Sequence, residues 1–344
     1  MMRLAPFTYL APRSLAEAAD LLAEHGAAAM VVAGGTDLFP NMKRRQQEPR
    51  VVIGLRAVPE LRSIRVGEDG TMRVGAMTTL RETATDPLLR ERYGSLATAA
   101  SLVSTPHLRH MGTIGGNICL DTRCTYYDQT YHWRKSIDFC MKKDGDICWV
   151  APGSSRCWAV SSSDSAPVTV ALGARLRLVS AAGERVVDAA DLFRDDGIEY
   201  LTRRPDEILA EVVLPAVQLS GVAPLRNTYW KLRRRGSFDF PILSVAVALR
   251  SDDGVVRDVR IVLGAVGSSP VVATAAAARL EGQRPEPELI EEVAGLAWRG
   301  ARPLDNTDLN YAWRKRMARV YVRRALRDAV GLPPSEPAVD RSVA

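Results

Sequence analysis

Cys124, Cys140, Cys148 and Cys157 lie within one short segment, spaced 16, 8 and 9 residues apart. Thiolates in such numbers are ligands for iron–sulfur clusters or zinc. No Cys-x-x-Cys pair occurs among them, so the segment is neither the common ferredoxin run nor a zinc ribbon. From spacing, a [4Fe–4S] cluster, structural zinc and unliganded packing all stay open. Just upstream comes a glycine-rich turn, Thr113-Ile114-Gly115-Gly116-Asn117. Without a Cβ in the way, backbone amides at such a turn can approach a pyrophosphate. A second turn of this kind, Ala33-Gly34-Gly35-Thr36-Asp37, follows an apolar strand ending near Val32. It is not a Rossmann fingerprint, because the third glycine and its helix are missing. Either turn by itself is readily structural. Two of them can grip the two phosphates of a dinucleotide. Asp164, in Ser163-Asp164-Ser165-Ala166-Pro167, reads as a helix N-cap or as a carboxylate facing a ligand. Cys119 reads as a small buried residue. The histidines show no metal-ligand spacing, and no Ser–His–Asp set or carboxylate pair can be argued. No catalytic residue is assigned to this chain.

The elements that must position these groups follow from periodicity. Ser14 and Glu17 suggest a capping box, with Leu15, Ala18, Ala19 and Leu22 at helical spacing and a stop at Gly26. Strands are expected at 30–33 and 51–55, giving a first α/β subdomain over 1–58. A second subdomain, 59–217, carries strands at 72–74, 175–179 and 208–214 and helices near 96–103 and 167–172. Within it periodicity vanishes over 121–158, a Cys-rich insertion held by something other than a hydrophobic core. A joint at Gln218–Pro224 precedes an α+β domain over 222–331. Its strands are expected at 228–232, 243–249 and 256–265, and its helices at 272–280, 288–297 and 309–330. The Pro/Ser-containing tail, 332–344, reads as disordered.

Composition excludes several classes. The chain has 344 residues, 47% hydrophobic and 25% charged, ordinary for a globular protein of two or three packed units. No run is long enough to cross a membrane, and no apolar leader follows Met1. A cytoplasmic, reducing setting is expected, which favours metal binding over disulfides. The net charge of +6 comes almost wholly from arginine. Those arginines are scattered rather than striped with aromatics, against nucleic-acid binding. Solvated faces, or docking to acidic partners, account for them.

Taken together, Ala33–Asp37 and Thr113–Asn117 resemble the FAD-binding subunits of molybdenum hydroxylases, the xanthine dehydrogenase and carbon monoxide dehydrogenase family. Asp164, Lys231 in Tyr229-Trp230-Lys231, and Gly264-Ala265-Val266 extend the likeness over nearly the whole chain. Most of that family runs directly from the Gly-Gly-Asn turn to the Ser-Asp segment. The insertion, with Asp138-Phe139-Cys140-Met141-Lys142-Lys143, resembles that of the β subunit of 4-hydroxybenzoyl-CoA reductases. The resemblance implies an α+β architecture: a two-subdomain FAD-binding fold of the vanillyl-alcohol oxidase type plus a C-terminal flavoprotein domain. It implies FAD contacts from Val32, Ala33, Gly34, Gly35, Thr36 and Asp37, and from Thr113, Gly115, Gly116 and Asn117. Asp164, Leu209 and Lys231 would sit near the flavin or adenine end. Cys124, Cys140, Cys148 and Cys157 would ligate one [4Fe–4S] cluster. A ferredoxin-like donor would supply electrons, and a small [2Fe–2S] subunit and a large molybdopterin subunit would receive them, in a dimer of heterotrimers. Substrate would meet only the large partner. Another molybdenum hydroxylase carrying the insertion, a free-standing flavin oxidase and a zinc-bearing non-redox module remain the alternatives.

Overall fold

The computed structural model describes residues 3–217 and 223–333. Most of the expected joint, and all but two residues of the expected disordered tail, lie outside the described residues. The chain opens with a small parallel sheet, order β1-β3-β2, from Thr8–Leu10, Ala29–Val32 and Val51–Gly54. β1 is too short, between Pro6 and Pro12, to show a period in sequence. The helix Leu15–His25 buries Leu15, Ala18, Ala19 and Leu22 as its spacing requires. Ser14 accepts from the Glu17 amide at 3.1 Å, but the Glu17 carboxylate accepts from the Arg13 amide instead of closing a capping box. Gly26, at φ +50°, ends the helix.

A five-stranded antiparallel sheet follows, order β4-β5-β8-β6-β7. Its strands are Ile64–Val66, Met72–Gly75, Arg175–Ser180, Gly183–Asp188 and Ile208–Leu214. Central β8 is buried at all seven positions and reads apolar except at Glu211, whose carboxylate pairs with Arg65 and Arg73. Edge strand β7 is mostly exposed and polar, which hid it from sequence reading. Helices Leu80–Thr85 and Pro87–Arg92 also went unread, although Thr79 and Glu82 form a full capping box. β8 also lends Ile208 and Ala210 to the core under the first helix, joining the two sheets.

The third sheet is antiparallel, order β12-β11-β10-β9, from Leu225–Leu232, Leu243–Asp252, Val255–Gly264 and Val271–Val272. Alternation on β10 divides its two faces. Leu243, Val245, Val247 and Leu249 pack on the helices Thr274–Leu280, Pro287–Ala297 and Tyr311–Val330. Ala246 and Ala248 face the core of the second sheet, whose small side chains let the two units approach closely. The last helix starts at Tyr311 rather than at 309, because the Asn310 side chain caps it; Gly331, at φ +77°, ends it. Among the described residues no helix is long and apolar enough to cross a membrane.

Candidate cofactor site

Strand β2 delivers the chain to Ala33–Asp37, and the helix Leu38–Lys43 carries it away. The amides of Gly34, Gly35, Thr36 and Asp37 meet no acceptor among the described residues, leaving an open row of donors. Gly34 is pressed against the other turn: a Cβ there would lie 1.8 Å from the Met111 carbonyl oxygen. Gly35 turns the chain at φ +71°. The second turn proves to be the opening of a short helix, Ile114–Ile118, capped by Thr113. Its amides are largely used. Gly115 donates to Ala76 O at 2.9 Å, Asn117 to Thr113 O at 2.9 Å, and Gly116 to Thr113 Oγ1 at 3.1 Å. A Cβ on Gly116 would come within 3.9 Å of Ala33 Cβ, so this glycine faces the first turn. The expected symmetric grip is therefore uneven: one turn offers free amides, the other close approach. A row of open amide donors is what a dinucleotide pyrophosphate needs, so FAD fits these residues.

Asp164 and Lys231 meet inside the molecule. Lys231 Nζ donates to Asp164 Oδ2 and to Leu102 O, each at 3.0 Å, and Tyr229 Oη donates to Asp164 Oδ1 at 2.6 Å. Asp164 caps nothing: its side chain makes no hydrogen bond to the helix Ser165–Ala171 that follows. Burial raises its carboxyl above the usual range, opposed by the Lys231 charge, and burial likewise lowers Lys231. The adjoining Ser163 Oγ and Ser165 amide both donate to Asn117 Oδ1, at 3.1 and 3.0 Å. A buried ion pair thus anchors β9 to the residues that hold the second turn. Leu209 is not part of this group; it lies in the core of the second sheet. Lys231→Met would strand a buried carboxylate, at a cost of about 3–5 kcal/mol. Chemical denaturation of the flavin-loaded chain should show that loss; one below about 1 kcal/mol would mean the pair is not a strut.

The insertion is more ordered than its sequence suggests. A bridge between Arg123 and Val160 closes its base, and Thr130 caps a helix, Tyr131–Ser136. Arg134, fully buried, donates to Arg44 O at 2.9 Å and Arg45 O at 3.0 Å, and Gln46 donates to Tyr127 O at 2.6 Å. Arg123 pairs with Asp37 of the first turn, lies 3.7 Å from Asp128 and stacks 4.1 Å from the Phe240 ring. The inserted segment is therefore fastened to the very stretch that leaves the open amides. In the sequence Arg123 carries no motif beyond its place before Cys124, and Lys142 stands only within the run Asp138–Lys143. Arg123→Leu is expected to weaken FAD binding about tenfold, or ~1.4 kcal/mol. Flavin titration of the metal-free chain checks this, and an unchanged dissociation constant would disprove the link.

All four cysteines, Cys124, Cys140, Cys148 and Cys157, are free and buried. Cys124, Cys140 and Cys157 share one packed cluster, and the Cys157 thiol also feels the charge of Cys148. Burial pushes Cys124 up to about 12 and Cys157 up to about 11. Among the described residues no three His, Cys, Asp or Glu side chains form a ready single-ion site. Four buried sulfurs come from one segment, yet among the described residues they are not arranged as a set that holds a metal ion or cluster.

Comparison with known proteins defines the class. Residues 5–217 match the family described as the FAD binding domain in molybdopterin dehydrogenase, and 227–329 the CO dehydrogenase flavoprotein C-terminal domain. The chain belongs to the FAD-binding subunits of the molybdenum hydroxylases, and the mixed helix-and-sheet architecture expected from sequence is the one observed. The carbon monoxide dehydrogenase medium chain of Hydrogenophaga pseudoflava is 29% identical over 94% of this chain and 96% of its own length. The aldehyde oxidoreductase FAD-binding subunit PaoB of Escherichia coli is 30% identical over 80% of this chain and 86% of its own. Among solved structures, carbon monoxide dehydrogenase from Hydrogenophaga pseudoflava superimposes with a TM-score of 0.78, covering 96% of this chain and 99% of that one. Quinoline 2-oxidoreductase from Pseudomonas putida 86 gives 0.74 at 25% identity, covering 96% and 99%.

Proposed function

We propose that this chain is the FAD and [4Fe–4S] subunit of a 4-hydroxybenzoyl-CoA reductase, passing electrons toward a molybdopterin partner. The observation that supports this reading most is the insertion. Four buried, unpaired cysteines lie on an inserted segment that is fastened through Arg123 and Arg134 to the stretch forming and following the open flavin turn. Bound FAD would supply a carrier able to take electrons singly or in pairs, suiting relay between one-electron centres. The residues of this chain bind, orient and enclose. Val32–Asp37 would present amides to the pyrophosphate, with Thr113, Gly115, Gly116 and Asn117 closing from the other side. Asp164 and Lys231 would hold the second turn in register, and Leu209 would pack the sheet behind it. Cys124, Cys140, Cys148 and Cys157 would be the cluster ligands.

In this reading residues 1–217 form the FAD domain, with subdomains 1–58 and 59–217 and the insertion at 121–158, and 222–331 form the C-terminal domain. A ferredoxin-like donor would deliver electrons in the cytoplasm, and a [2Fe–2S] subunit would pass them on within a dimer of heterotrimers. Relatives named for carbon monoxide, nicotinate and quinoline share this fold, so the substrate is the partner's choice. The FAD subunit of another molybdenum hydroxylase is the second reading, favoured by relatives named for other substrates and by the lack of a ligand set among the described residues. The test is the complex with its partner subunits, assayed with a reduced viologen dye. Dehydroxylation of 4-hydroxybenzoyl-CoA supports the proposal; activity only on a heterocycle or aldehyde would replace it.

A further inference from the structure

Phe238 is the most exposed large apolar side chain among the described residues, at 58%. Phe240, two residues on, is exposed as well, and an ion pair between Arg234 and Asp308 at 3.3 Å brings exposed Leu309 and Tyr311 to the same loop. Soluble chains seldom gather apolar side chains at the surface in this way unless something covers them. The backbone beneath is strained. Ser104, Phe238 and Leu309 stand at φ +47°, +65° and +66°, a region that side chains other than glycine rarely adopt. The Phe238 amide donates to Ser104 O at 3.0 Å, tying two of the three together. Strain of this kind collects where a surface is used, and here two of the strained residues are ones that show apolar side chains to solvent.

Cations rim the patch. Arg234 and Arg235 are exposed on the loop itself, each beside a carboxylate, Asp308 and Asp239. Arg109 donates to Val103 O at 2.8 Å, next to Ser104; burial, then the charges of Arg81 and Arg233, lower it from its ordinary value. These guanidiniums outnumber the two carboxylates, so the rim is positive. On the other flank the Phe240 ring stacks on Arg123, which pairs with Asp37 of the first turn. The patch therefore opens beside the flavin cradle. A second copy of this chain would set the positive rim against itself across a two-fold axis. A permanent subunit would cover roughly 2,000 Å² or more of mostly apolar surface. A few apolar side chains inside an arginine rim match the small contact of an electron-transfer encounter, below roughly 1,200 Å².

We propose that this patch is the docking surface for a small acidic electron-carrier protein, whose carboxylates meet the arginine rim while its apolar centre covers Phe238. This rests on the reading above that a ferredoxin-like carrier serves this chain, and not on what the four cysteines hold. Rim charges steer the encounter and make it salt-dependent, and the covered ring supplies most of the affinity.

The test titrates oxidised ferredoxin, a small acidic carrier, into the flavin-loaded complex by calorimetry at several salt concentrations. Phe238→Asn removes the ring and keeps the loop, because asparagine accepts a positive φ. Arg235→Gln removes a rim charge, and Asp239 still accepts from the residue 235 amide, now at 2.7 Å. Phe238→Asn is expected to weaken binding about tenfold, and Arg235→Gln to flatten the salt dependence. Flavin content, melting temperature and turnover with a reduced viologen dye should stay at wild type in both. Ferredoxin bound equally by both variants and the wild type, at every salt concentration, would overturn the proposal. So would a complex that dissociates into smaller species in Phe238→Asn, which would make the patch a contact between copies. Wild-type complex that turns over with the dye and binds no ferredoxin would overturn the carrier reading itself, and this inference with it.

Discussion

Cys140→Ser is expected to reduce bound iron from about four per chain to near zero while the chain keeps its flavin. Cys140 is central to the pocket. It packs with Cys124 and Cys157, and its carbonyl accepts from the Lys143 and Gly145 amides at 2.9 and 3.2 Å, folding the Cys140–Gly145 turn. Serine keeps that turn and removes only the sulfur. The flavin residues lie on other segments, so FAD survives. Its affinity should nonetheless fall, because Arg123, Arg134 and Gln46 fasten the insertion to the stretch after the first turn. Iron and electron transfer retained together in Cys140→Ser would remove this residue from the ligand set.

The second large effect is Gly115→Val, which should abolish FAD binding for a reason different from the one its sequence implies. Read as a motif, Gly115 leaves room for the pyrophosphate. In the fold its missing Cβ faces protein: an added one would lie 2.6 Å from Ala76 Cβ and 2.8 Å from Ala76 O. Valine would drive the helix Ile114–Ile118 off Ala76, the residue after strand β5, at a cost of about 1–3 kcal/mol from overpacking, sometimes more. Flavin loss and a lower melting temperature should therefore appear together. Gly116→Val, which faces Ala33 across the gap between the turns, should lose flavin with a smaller drop in melting temperature. Flavin binding preserved in Gly115→Val would show that the second turn does not shape the site.

Much of this was legible because the signals were local. A strand buried on both faces reads as mostly apolar, as β8 does apart from Glu211 and β10 does over Val245–Leu249, and a glycine after a strand marks a turn whatever lies beyond it. The turns and the four cysteines needed no tertiary knowledge. What sequence hides is which side chains meet. Asp164 looked like an N-cap, yet its partners are Lys231 and Tyr229, more than sixty positions away. Arg123 carries no motif, and only folding brings it to Asp37. The helix inside the insertion lacks an apolar stripe because what it buries is an arginine, Arg134, against main-chain carbonyls.

The central claim is that one chain holds a flavin and an iron–sulfur cluster. Its most direct test is the iron, acid-labile sulfide, zinc and FAD content of anaerobically purified complex, with the visible and EPR spectra. Because the proposed [2Fe–2S] partner would carry iron of its own, the same chain purified by itself is measured alongside. The account predicts about four iron and four sulfide per FAD in the isolated chain. Flavin with zinc, or flavin with no metal, would contradict it and leave a flavoprotein subunit with a structural loop.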